Sequence, residues 1–299
     1  MLRLTIVKSL LTAVAVVGLV CCGAGNLPVR GATWTGAGTD AKWETAENWA
    51  ESKAPANGDV LVFPSATNTN ARNGTPNIAL GGITFNADAG SYQLNGKPIK
   101  LKGDIIDNSK EPQSINLYIT LMKSVTISAS GDVSLGGVIR SEKFGVTKTG
   151  DGQLTLTGAC AYTGQTTVRG GSLLLGNANP LSPSSTLLLD GTKVCLGQGI
   201  SPSVGPLNIA SASVIDFGAG SGSHAVTFAS SQTLAWTGTL AIYNWDGDAT
   251  ASNSLAFGTD NNGLSAAQLK AIIFYRDAGK TRLGTAKWAS NNGQLTFAQ

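Results

Sequence analysis

The sequence predicts an all-β chain wound as a β-solenoid, and three observations carry that expectation. Apolar and polar residues alternate in short, recurrent runs: Leu154 and Leu156 face one way while Gln153, Thr155 and Thr157 face the other. That is the period of a strand with one buried face. Glycine, 38 of the 299 residues, breaks almost every run and supplies the tight turns such strands need. Only 13% of residues are charged, and long amphipathic helices are nearly absent, as in all-β proteins.

The stretch 145–176, GVTKTGDGQLTLTGACAYTGQTTVRGGSLLLG, organises the rest. After Gln153–Thr157, Thr166 and Val168 form a second strand, and Leu173 and Leu175 flank a third. The turns Thr149-Gly150-Asp151-Gly152 and Tyr162-Thr163-Gly164 place Gly where positive φ is expected. Its many Thr residues suit a pleated surface. The run amounts to a coil and a half of a solenoid. From Val146 through Leu173 it reads as a Val-Thr-Lys-Thr-Gly turn, a Gly-x-Leu-x-Leu strand, Tyr-Thr-Gly-x-Thr-x-Val and Gly-x-Leu. This pattern resembles the autotransporter-associated β-strand repeat (the passenger-associated transport repeat) of exported bacterial proteins. Cys160 departs from it, standing where the repeat usually carries a polar residue such as Asn. The resemblance implies a right-handed parallel β-helix and export, and no chemistry.

Residues 1–24 have the layout of a secretory signal: Arg3 and Lys8 form a positive start, Leu10 to Val20 an apolar core, and Gly23 and Ala24 a small-residue cleavage region. The apolar run is too short for a comfortable membrane span. Cleavage near Ala24 is expected; the alternative is lipid anchoring through Cys22, with Leu19 three residues before it. The formal charge of +3 falls to about +1 once Arg3 and Lys8 are removed. Nucleic acid is not an expected partner, because that needs a concentrated basic face. Lys97, Lys100 and Lys102 form a local basic cluster, read as a solvated face with contact to an anionic polymer as the alternative.

Residues 33–64 hold Trp34, Trp43 and Trp49 in a frame of Gly, Asn and Asp, ending in a strand from Asp59 to Phe63. The layout resembles an N-terminal segment that often precedes such repeats in bacterial surface proteins. Two readings stand: a hydrophobic cap on the open end of the solenoid, or a sugar-stacking platform at Trp43 and Trp49. Residues 65–238 are expected to be the solenoid. Strands run at Ile83/Phe85, Tyr92/Leu94, Ile99/Leu101, Ile115 to Leu121, Val125/Ile127 and Val133/Leu135, and later at 187–189, 194–196, 214–217, 226–228 and 234–236. Their spacing of roughly 10 residues suits a sandwich or a solenoid; the repeat favours the solenoid. Residues 239–299 are expected to be the C-terminal solenoid end and cap. Within them, 239–275 resembles the terminal segment of repeat proteins from bacteria with exosortase-type sorting. The sequence carries neither the Pro-Glu-Pro tail of those relatives nor a translocator barrel, so neither sorting by that route nor a complete autotransporter is expected. Ser265-Ala-Ala-Gln268 is a capping-box pattern, and it predicts a short capping helix before a strand at Ile273 to Tyr275.

No catalytic constellation is expected. His224 stands alone, and nucleophile-elbow, zinc-protease, phosphate-loop and Cys-x-x-Cys motifs are missing from the sequence. Asp104/Asp107, Asp246/Asp248 and Asp260 sit in polar or Gly/Asn-containing turns, where carboxylates bond local backbone; calcium at Asp246/Asp248/Asp260 is the alternative. Cys160 and Cys195 are the two mature cysteines and could pair in an oxidising compartment, or remain buried thiols. No cofactor or metal is expected. The expected function is a secreted or cell-surface β-solenoid with a non-enzymatic structural or adhesive role. Its expected partners are extracellular polysaccharide or other surface proteins, with no membrane span after signal cleavage. The alternative is a carbohydrate-binding module, and more remotely a polysaccharide lyase or glycosidase using Asp104 or Asp107.

Overall fold

In the computed structural model the described residues are 30–218, 224–245 and 253–298. The expected signal segment with Cys22, and Asp246 and Asp248, lie outside them. The described chain is a parallel β-solenoid with one short α-helix, as the alternation predicts.

Three parallel sheets form its walls. The first has nine strands, from Gly31–Thr33 to Leu207–Ser211. The second has 12 strands and begins at Asn70–Asn73; the third has five, from Ile78–Leu80 to Cys160–Tyr162. Each coil visits the three in turn. Register partners recur about every 20 to 22 positions: Ile83 pairs with Ile105, Ile105 with Ile127, and Val146 with Thr166. After a loop over 176–186, a three-stranded sheet (Ser203–Val204, Ala225–Phe228 and Ser254–Phe257) takes the third place in the coil.

Because side chains alternate and the coils stay in register, each sheet turns one apolar column inward. On the first sheet Ala32, Leu61, Ile83, Ile105, Ile127, Lys148, Val168, Leu189 and Ile209 lie in line, all buried. On the second the column is Ala71, Leu94, Ile115, Leu135, Leu156, Leu175 and Leu196. Each aliphatic so buried contributes about 1.5–3 kcal/mol of transfer free energy. Ladder hydrogen bonds between coils satisfy the backbone that comes with it.

The ends are closed differently. At the N-terminal end Trp34 and Trp49 meet edge to face at 5.1 Å, and both lie 6.4 Å from Phe63. At the other end Ser265 and Gln268 form the predicted capping box on the helix Ala266–Ala271, which leads into the strand Ile272–Arg276. That strand pairs antiparallel with Thr281–Trp288, which pairs antiparallel with Leu295–Ala298. Coil strands begin before the expected solenoid limit, since Val60–Phe63 is already in the first sheet, and Leu240–Tyr243 continues the second sheet into the solenoid end expected over 239–299.

Three local expectations are corrected. Ile115 to Leu121 is two strands, Gln113–Ile115 on the second sheet and Ile119–Leu121 on the third. The inward alternation runs unbroken round the corner, so sequence shows one strand. Leu234–Trp236 is not a strand. The Trp236 indole N–H donates to the Leu207 carbonyl at 2.9 Å, and a side chain thus occupies an acceptor that another coil's backbone would use. Gly150 has the expected positive φ of 80°, but Gly164 does not. At Gly164 a Cβ would collide with the backbone of Phe144 in the adjacent corner, so close approach is the reason for glycine there.

Candidate functional site

The residues first singled out for ligand stacking are in the core. Trp43 and Trp49 are each 1% exposed. The Trp49 indole donates to the Trp43 carbonyl at 2.7 Å, while the Trp43 amide donates to the Arg72 carbonyl at 2.9 Å. Neither ring offers a face to a sugar, and the cap reading accounts for both. Asn48, fully buried, clips the loop beneath them: its amide donates to the carbonyls of Asp40 and Lys42 and accepts from the Gly38 N–H. The Cys160–Cys195 bridge does not form. Cys160 points into the core from the third sheet, whereas Cys195 lies at an outward position of the second; both are free thiols. Burial pushes the Cys160 thiol up to about 12 and raises that of Cys195 as well, so both stay protonated at neutral pH.

The carboxylates bond backbone. Asp107 stands inward in line with Phe85 and accepts from the N–H groups of Ser109 at 3.0 Å and Gly131 at 3.2 Å; burial raises its pKa against those bonds. Asp104 accepts from the Thr126 N–H at 2.9 Å and pairs with Lys123 at 3.7 Å. Asp260 accepts from the Asn262 N–H within its own turn. Among the described residues no three metal-ligating side chains cluster. His224 is buried, and its backbone bonds the Asn253 side chain and the Ser254 N–H.

Lys148 is the unexpected ionisable group. It is fully buried in the first sheet's apolar column, between Ile127 and Val168. Its ammonium donates to the carbonyls of Thr149 and Gly150 at 2.8 Å and of Gly170 at 3.3 Å, joining two successive turns. Burial brings its pKa down to about 8, opposed by Asp151 and Asp132. The Tyr162 hydroxyl pairs with Thr166 at 2.7 Å, and burial holds its pKa well above the usual value. Lys148, Tyr162 and Thr166 therefore act within the wall.

Residues 146–175 are the stretch in which these wall contacts cluster, and they match the family model of the passenger-associated-transport-repeat. The chain carries a passenger-associated transport repeat. The match covers five strands, Val146–Thr149 to Ser172–Leu175, and places the repeat's Lys in the core and its Tyr-Thr-Gly at a corner of the coil. No curated protein and no solved structure matches the chain.

What remains outward is a groove on the third sheet. It is open, about 750 Å³, and lined by Tyr118, Thr120, Arg140, Ser141, Lys143 and Phe144 among others. Lys100, Thr120 and Arg140 are register partners on its sheet. The Arg140 guanidinium lies 5.1 Å over the Tyr118 ring and donates to the Thr120 hydroxyl at 3.3 Å; the Lys143 ammonium lies 5.1 Å over Phe144. Sequence reading found Lys100 but missed Arg140 and Lys143. The available signal was weak: Arg140 stands two coil periods from Lys100, with Thr120 between them.

Proposed function

We propose that this protein is an exported β-solenoid whose role is structural or adhesive and not enzymatic. The observation that supports this most is the wall itself. Coils in continuous register make a stiff body, and its outer faces repeat the same side-chain types from strand to strand. On the second sheet Gln93, Ser114, Ser134 and Thr155 are successive outward partners, with the Asn116 amide donating to Asn95 at 3.0 Å. On the first, Thr126, Thr147 and Thr167 follow one another. Repeated weak contacts of this kind bind polymers through their number. The passenger-associated repeat supports export, and no helix among the described residues is long and apolar enough to cross a membrane.

The test has two arms. Fractionation of cells making the full chain, followed by N-terminal sequencing, is expected to find the protein outside the cytoplasm, cleaved near Ala24. Incubation with a panel of polysaccharides is expected to give retention without released oligosaccharides; released products would sink the non-enzymatic reading.

A further inference from the structure

We infer that the outer face of the third sheet, made of the groove and the adjoining Lys100, binds a carboxylated polysaccharide lying along the solenoid axis across Lys100, Thr120 and Arg140. This rests on the adhesive reading and names its ligand class. Three features carry it.

The first is charge that nothing in the described protein neutralises. Lys97, Lys100, Lys102, Arg140 and Lys143 stand on the third sheet or at its corners, and among the described residues none has a carboxylate within ion-pair distance. The acids nearby are Asp104, already paired with Lys123, and the exposed Glu142, which lines the groove but forms no ion pair among the described residues. The second is spacing. Lys100 and Arg140 are separated by one strand, so at about 4.8 Å per strand their backbones lie roughly 10 Å apart along the axis. Carboxylates on alternate units of an extended uronic acid chain have separations of that order, whereas the outward strand positions of the other two sheets are uncharged over the same coils: Ile106, Thr126, Ser128 and Thr147 on the first, Ser114, Ser134 and Thr155 on the second. The third is that the groove also recognises sugar. Tyr118 and Phe144 give it apolar flanks, and the Ser141 hydroxyl, accepting from the Phe144 N–H at 2.9 Å, keeps its own proton to donate. Aromatic flanks and hydroxyls between sparse cations suit a carboxylated glycan better than the dense charge of a nucleic acid.

The test uses the purified protein and immobilised polygalacturonate, with fully methyl-esterified pectin as the uncharged control on the same backbone and random-sequence duplex DNA as a competitor. Retention on polygalacturonate is expected, weakening as salt rises from roughly 0.05 to 0.5 M, with little on the methyl ester. The pair Lys100→Gln/Arg140→Gln, both on the outer surface, is expected to weaken binding roughly ten-fold. The pair Lys270→Gln/Lys287→Gln, at the C-terminal end, is expected to leave it within about two-fold. No retention on polygalacturonate, equal retention on the methyl ester, equal loss in the two variant pairs, or DNA binding as tight as polygalacturonate would each overturn the inference. Retention on neutral glycans alone would overturn it while leaving the adhesive role standing; released products would remove that role and leave the groove.

Discussion

The two ends of the solenoid solve the same problem by different means. At the N-terminal end the plug is made of side chains: Trp34, Trp43 and Trp49 cover the first coil, and Phe63, Phe85 and Tyr92 continue the aromatic stack behind them. The edge strand Gly31–Thr33 is blunted because Ala50 donates to the Thr33 carbonyl at 2.8 Å and the Thr33 N–H goes to Glu51 at 3.0 Å. At the C-terminal end Phe217, Trp245, Phe274 and Phe297 also form an aromatic group, but there the backbone changes course as well. The capped helix breaks the coil, and the antiparallel strands 281–288 and 295–298 reverse direction, so that no further parallel coil continues the register. A side-chain plug depends on a few large residues, whereas a backbone stop depends on hydrogen bonds that many side chains would tolerate. Unequal sensitivity to mutation follows.

The largest effect is expected at the aromatic plug. Trp49→Ala should cost about 3–5 kcal/mol, measured by urea unfolding. Hydrogen exchange should accelerate in strands 60–63 and 82–85 with little change at 240–243 or 272–276, because coils contact mainly their neighbours. Uniform acceleration would mean that the ends are not independent.

Lys148→Met should come next, at about 1–3 kcal/mol, because three carbonyls lose the ammonium that joins them. It also carries a pH signature. The folded pKa of about 8 lies below the ordinary lysine value of 10.5. Between those values the unfolded chain holds a proton that the folded one has released, so stability contributed by Lys148 rises with pH across that window. That contribution is fully present above 10.5 and is lost as pH falls through about 8. The wild type should gain on Lys148→Met from pH 8 to 10.5; parallel profiles would refute the assignment.

Gln268→Ala tests the backbone stop. Its side chain accepts from the Ser265 N–H at 2.7 Å and donates to the carbonyls of Ser231 at 2.8 Å and Leu234 at 2.9 Å. A loss of about 1–2 kcal/mol is expected, with exchange rising at the C-terminal end only. The smallest effect is chemical. Native thiol labelling should modify Cys195 before Cys160, since Cys160 is buried and Cys195 is not; equal rates would mean that the third wall opens.

Much of this was legible in the sequence. Strands such as Ile83/Phe85, Val125/Ile127 and Leu154/Leu156 showed their inward faces by alternation, and Ser265 with Gln268 announced the helix, because these signals are local. Trp43 and Trp49 were ambiguous, since one aromatic composition serves a buried plug and an exposed platform. Cys160 and Cys195 allowed a bridge only because spacing along the chain does not say on which sheet, or which side of it, a residue falls. Arg140 and Lys143 were missed because only the register between coils puts Arg140 on the same face as Lys100, two strands on.

The sequence by itself determined that the chain would be all-β, wound in short coils and closed by a capped helix. Period-two burial, glycine at corners and a capping box are properties of neighbouring residues. Only the tertiary structure decided that Lys148 lies in an apolar column, that the tryptophans face inward, and that Lys100 and Arg140, two coils apart, share one face of the third sheet. Those facts depend on register between coils, which is set by how whole turns stack to bury their aliphatics rather than by any single segment.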